Sequence, residues 1–111
     1  MRFGKAARLL LRRDFLAVQE RGRKLHAGAY LVLALESPRG QPRLGITVST
    51  RVGNAVARNR VKRWVREAWR ERAARLPPWD VVVIARSAAP AGGLAAARAA
   101  LEALGRAGGR P

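Results

Sequence analysis

The sequence has no cysteine and a single histidine among 111 residues. Without Cys, disulfide scaffolds, thiol nucleophiles and Cys-based zinc sites are excluded. One His excludes a multi-His metal centre. Acid is scarce: 7 Asp plus Glu stand against 23 Lys plus Arg, a formal net charge of +16. Aromatics make up only 5% of the chain, and 22 alanines inflate its 49% hydrophobic fraction, so the core is real but modest. No apolar stretch approaches the roughly 18 residues of a membrane span. Nor does the start look like a secretory signal, since its longest apolar run is Leu9–Leu11. The expectation is one small, soluble, cytoplasmic domain with no membrane partner.

What is abundant is positive charge. Sixteen uncompensated charges repel one another and oppose compaction unless a polyanion neutralises them. Nucleic acid is the commonest such partner. Ribosomal proteins, DNA-compacting proteins and RNA chaperones share this balance, so a ribosomal-type or general RNA-chaperone protein is the alternative to any sharper reading. Of the basic residues 20 are Arg and three are Lys (Lys5, Lys24, Lys62). Arg favours bidentate phosphate contact and stacking on bases, although genomic base composition produces the same bias.

Along the chain, residues 1–11 read as a basic arm. Asp14, Phe15 and Val18 suit a short helix beginning at Arg13 or Asp14 and stopping at Gly22. Tyr30–Glu36 is an apolar run of strand length, ended by the turn signals of residues 37–42. Leu44, Ile46 and Val48 then alternate with Gly45, Thr47 and Ser49, the period of a half-buried strand. A six-residue connection between these two strands predicts an antiparallel pair. Residues 54–75 form the clearest element, a helix capped by Asn54 and carrying Val61, Trp64, Val65 and Ala68 at helical spacing. Pro77–Pro78 ends it. Val81–Ala85 is a β-branched run that reads as a strand buried on both faces. After the breakers Pro90 and Gly92–Gly93, Leu94, Ala97, Leu101 and Leu104 outline a last helix, stopped by Gly105 or Gly108. The tail at 106–111 is expected to fray. This order describes an α+β sandwich with helices on one small sheet.

No catalytic constellation is evident. Of the seven acids, only Glu67 and Glu71 share a helix face, and Arg63, Arg70 and Arg75 lie within ion-pairing reach on the same helix. His26 is expected near a helix end, with no Ser or Cys beside it. The glycines at 92–93 and 108–109 lack the strand-to-helix spacing of a phosphate cradle.

The informative segment is Arg58-Asn59-Arg60-Val61-Lys62-Arg63-Trp64-Val65-Arg66. At 100° per residue, Val61, Trp64, Val65, Ala68 and Trp69 form a stripe of about 140°. Asn59, Arg63, Arg66 and Arg70 fall within about 60° of one another on the opposite side. Five basic residues without an acid occupy the early turns of a helix, where the macrodipole prefers negative charge. A bound phosphate backbone reverses the sign of that penalty. Trp64 and Trp69 belong to the apolar stripe and are read as core.

The segment from Val52-Gly53-Asn54-Ala55-Val56-Ala57 through Arg58-Asn59-Arg60 to Glu67-Ala68 resembles the signature helix of the protein subunit of bacterial ribonuclease P. The similarity extends to Asp14-Phe15, to Arg43-Leu44-Gly45-Ile46-Thr47-Val48-Ser49 and to Asp80–Arg86, and so spans about residues 8–105. The resemblance implies a single domain over residues 1–111. Its fold would be an α+β, two-layer sandwich in α-β-β-β-α-β-α order, with a small mixed sheet and a left-handed βαβ crossover. It also implies that the chain is a non-catalytic subunit. The family's catalytic RNA, with Mg2+ held mainly by that RNA and no organic cofactor, removes the 5′ leader of precursor tRNA.

Carried over by position, the resemblance assigns Arg51, Arg58, Asn59, Arg60, Lys62, Arg63 and Arg66 to the catalytic RNA, with Arg70 added from the helix face. Thr50 stands where the family usually has Lys, so one phosphate contact is expected to be missing. Phe15, Gln19, Leu33 and Arg12 fall in the cleft that holds the leader. Gln19 and Leu33 occupy positions where aromatics are frequent, so leader recognition is expected to lean on Arg charge and Phe15. Tyr30 points to the other face of its strand.

Overall fold

The computed structural model describes residues 12–38 and 40–107; the expected arm at 1–11 and the tail beyond 107 lie outside the described residues. The elements are α1 (Arg12–Arg21), β1 (Arg23–Ala27), β2 (Tyr30–Glu36), β3 (Arg43–Val48), α2 (Ala55–Arg72), β4 (Trp79–Ala85) and α3 (Ala89–Ala107). That is the α-β-β-β-α-β-α order.

The sheet runs β1-β2-β4-β3. β2 is antiparallel to both β1 and β4, whereas β3 lies parallel to β4. The predicted β2–β3 hairpin is therefore corrected: β4 inserts between them and takes hydrogen bonds from both. Its Val81–Val83 run explains why, because those residues are almost wholly buried and need cover on both faces. α2 makes the crossover between the parallel neighbours β3 and β4.

β1 was not legible as a separate strand. It forms a hairpin with β2 through the two-residue turn Gly28–Ala29, where Gly28 adopts φ 61°. Glycine at the first turn position is what such a tight connection requires. His26 thus sits on a strand rather than near a helix end.

Side-chain alternation divides the sheet. Tyr30, Val32 and Ala34 of β2 and Val81, Val83 and Ala85 of β4 face α2 and α3, forming the main core with Val61, Val65, Ala68, Trp69, Leu101 and Leu104. Trp79 joins this core, and Trp64 packs against it half-buried. Leu31, Leu33 and Leu35 point to the other face, where α1 lays Val18 on Leu33 and Val82. The sandwich is thus the α2–α3 layer against the sheet, with α1 crossing part of the outer face.

α1 is described from Arg12 and includes the expected start at Arg13 or Asp14. α3 begins at Ala89 and bends at Gly93 (φ 62°), so the Gly pair kinks the helix instead of preceding it. Of the two expected stops, Gly105 does not end α3, which continues through Arg106 to Ala107, and Gly108 lies outside the described residues; Leu101 and Leu104 hold the last turns against the core.

Candidate nucleic-acid interface

α2 starts where its sequence says it should. Asn54 is extended, and its Oδ1 accepts the Ala57 N–H at 3.0 Å, satisfying one donor of the first turn. Just upstream, Ser49 Oγ accepts the Arg51 N–H and caps a 3-10 turn at Thr50–Val52. The helix then buries Val61, Val65, Ala68 and Trp69 and exposes Asn59, Arg60, Arg63, Arg66 and Arg70. Arg58 and Lys62 are half-buried along one flank.

Ion pairing splits this helix in two. Among the described residues, Arg51, Arg58, Arg60, Lys62, Arg63 and Arg66 form no ion pair. The cations further along are matched: Arg70 by Glu67, Arg72 by Glu102, and Arg98 of α3 by Glu71. Arg70 therefore shares the exposed face with Arg63 and Arg66 but already carries a counter-charge. Glu71 pairs across to Arg98, at 2.9 and 2.7 Å, rather than along its own helix to Arg75. That two-point contact holds the Glu71 carboxyl below its ordinary range. The open run at 58–66 has neither a counter-charge nor a favourable dipole, which is the condition under which a phosphate strand stabilises both.

The second surface is the outer face of the sheet beside α1. The register aligns Lys24, Leu33, Val82 and Gly45 in one row beneath α1, and His26, Leu31, Ile84 and Thr47 in the next. Phe15, Leu31, Leu35 and Ile84 are partly buried and pack against the small outer cluster of Val18, Leu33 and Val82. Taking Val18 as the downward residue, Phe15, Gln19 and Arg12 fall on one flank of α1 within about 60°. Gln19 and Arg12 are exposed. Leu33 is different: at 2% exposure it lies under Val18 and is floor, closed to a base. Tyr30 is fully buried on the opposite face.

Arg43 fixes α1 in place, a role that sequence reading missed. Its Nε and Nη2 donate to the two Asp80 oxygens at 2.7 Å each, and its Nη1 reaches Asp14 Oδ2 of α1 at 3.4 Å. The Asp80 hydrogen bond chiefly, against burial, pushes the guanidinium pKa up. An Arg and an Asp inside two otherwise apolar strands were the available signal. Among the described residues no group of three His, Asp or Glu comes together as a metal site.

The family model for ribonuclease P matches residues 3–107. The chain belongs to the ribonuclease P protein family. It is similar to the ribonuclease P protein component of Thermotoga maritima, 41% identical over 85 residues, which is 76% of this chain and 73% of that one. Its identity to the component of Desulforapulum autotrophicum is 50% over 68 residues, covering 61% and 58%. The solved ribonuclease P protein of Staphylococcus aureus superposes with a TM-score of 0.82 at 30% identity, covering 93% of this chain and 95% of that one. That of Thermotoga maritima gives 0.79 at 33% identity, covering 93% and 98%. The chain is accordingly a ribonuclease P component, a tRNA-processing protein whose partner is the ribonuclease P RNA. No helix among the described residues is long and apolar enough to cross a membrane.

Proposed function

We propose that this chain is the RNA-binding accessory subunit of a cytoplasmic ribonuclease P, docking the catalytic RNA with α2 and the 5′ leader of precursor tRNA with its outer sheet face. The observation that carries the first half is the cluster of unpaired cations on a helix whose reverse side is core. Arg58, Arg60, Lys62, Arg63 and Arg66 with Asn59, preceded by Arg51, would contact phosphates. Arg70 contributes less, because Glu67 already neutralises it.

The second half rests on the part of the outer sheet face beside α1 where, among the described residues, Lys24, His26 and Thr47 are exposed. Phe15 would stack on a leader base, Gln19 and Arg12 would line the same flank, and Leu33 would support the floor. The chain contributes no reacting group. Among the described residues, Asp14 and Asp80 hold Arg43, and Glu67, Glu71 and Glu102 hold arginines. On this reading Mg2+ is held mainly by the RNA partner, as the family resemblance implies.

Reconstitution tests this reading. The purified chain added to catalytic RNA at low Mg2+ should restore cleavage of precursor tRNA at the leader junction. An effect no larger than that of polylysine at equal charge would return the chain to the general RNA-chaperone class. Site-specific cleavage by the protein alone would overturn the non-catalytic assignment.

A further inference from the structure

The ion pairs of α2 and α3 are grouped at one end of the basic face. Glu67 pairs with Arg70, Glu71 with Arg98, and Glu102 with Arg72, while Arg106 lies 4.0 Å from the same Glu102 carboxylate. Glu71, Arg72, Arg98 and Glu102 line one groove between the two helices, together with Ala68. Three of the chain's seven acids thus follow directly on the run at 58–66 whose cations, among the described residues, carry no counter-charge.

Stability alone does not account for this grouping. The paired side chains are 32–73% exposed, and ion pairs in water contribute little to folding. The same exposure leaves Arg70, Arg72, Arg98 and Arg106 within reach of a phosphate once their carboxylates are gone. At 1.5 Å per residue the open ridge from Arg58 to Arg66 is ~12 Å long. With Arg70 and Arg72 also free it would run on to ~21 Å and spread onto α3. A flexible RNA can follow any such ridge, because each phosphate neutralised adds affinity whatever the sequence. A folded RNA presents its phosphates in one fixed arrangement and gains less from a longer ridge.

We propose that Glu67, Glu71 and Glu102 are specificity-determining residues, which end the RNA-binding face at Arg66 and disfavour RNA docked in any other register. This rests on the α2 reading above and deepens it. The acids select the catalytic RNA by weakening its competitors, since discrimination is a difference between two affinities.

The test measures binding of the full chain to two RNAs, the catalytic RNA and unstructured poly(U). E67Q keeps the side-chain shape and leaves the α2–α3 pairs intact, so it remains informative even if a broader variant unfolds. It frees Arg70, and should tighten poly(U) binding about 5-fold at 0.1 M salt and steepen the log–log salt slope by about 0.7. E67Q/E71Q/E102Q frees Arg72 and Arg98 as well, and should steepen that slope by about 2. Catalytic RNA should gain much less, so the ratio of the two affinities falls. Glu67→Asp, which keeps the charge, should hold the ratio near wild type; a merely structural role would not separate Asp from Gln in this way. An unchanged poly(U) slope, or an equal gain for catalytic RNA, would overturn the proposal. Arg63→Ala distinguishes the two levels. If it weakens catalytic RNA binding while E67Q changes nothing, only the boundary is wrong; if it too is silent, the α2 reading fails.

Discussion

Arg43 on β3 and Asp80 on β4 are each 2% exposed and meet through two 2.7 Å hydrogen bonds, with Asp14 of α1 as a third partner. The contact joins the two parallel strands and tethers the helix that crosses them. A buried pair of this kind need not stabilise more than well-packed apolar side chains would. Breaking it from one side, however, strands a charge. Asp80→Asn should therefore cost ~3–5 kcal/mol, read from denaturant midpoints. The double variant Arg43→Met/Asp80→Leu should cost less than the single change. An Asp80→Asn protein within about 1 kcal/mol of wild type would mean the pair does not anchor α1.

Tyr30 is the second buried polar group of consequence. Its hydroxyl, like the Trp69 indole N–H, has no hydrogen-bond partner among the described residues. Removing such a group releases a desolvation cost of ~1–3 kcal/mol. Tyr30→Phe should thus be neutral or stabilising by up to that amount. Burial raises the phenol pKa above 10.0, so the fold favours the neutral form. That stability is fully present below pH 10 and is lost as pH rises through the folded-state value. Chemical denaturation between pH 9 and 11 should show a steeper decline for wild type than for the Phe variant. Parallel curves would place a hidden partner on the hydroxyl.

Much of this architecture was legible locally. Asn54, the 3.6-residue stripe and Pro77–Pro78 delimited α2 because cap, period and breaker act within a few residues. The β-branched run at 81–84 announced a doubly covered strand for the same reason. What escaped were choices made at long range. Nothing in residues 37–42 says that β4, more than thirty residues on, outcompetes β3 for the edge of β2. β1 was hidden by Arg23, Lys24 and His26, polar residues suited to an edge strand with one solvated face. At the interface, sequence found the basic face and the Glu67–Arg70 pair along the helix, but not the pairing of Glu71 with Arg98, which depends on α3 packing beside α2.

The split of α2 into open and paired cations is measurable. The association constant with catalytic RNA should fall with salt at a log–log slope set by the phosphates neutralised. Arg63→Ala should make the slope shallower by about 1 and leave stability within ~0.5 kcal/mol, as befits an exposed side chain. Arg70→Ala should change the slope less, because Glu67 already neutralises that guanidinium. Unfolding of the Arg63 variant would show a structural residue and displace the RNA face from α2.

Gly22 sets how closely α1 sits on the sheet. A Cβ there would lie 2.5 Å from the Val18 carbonyl oxygen and 3.1 Å from that of Ala34, both backbone atoms that cannot rotate aside. Gly22 N–H also donates to the Val18 oxygen at 2.8 Å, closing the helix before β1 begins. Gly22→Ala must lift the C-terminal end of α1 or shift β1, at an overpacking cost of ~1–3 kcal/mol. Since Phe15 and Gln19 ride on α1 while Arg58–Arg66 ride on α2, the two binding surfaces should respond differently. Affinity for long-leader precursor should drop several-fold, while affinity for catalytic RNA should stay near wild type. A uniform loss of both would mean that the outer face and α2 act as one surface, and that the position of α1 does not set leader binding on its own.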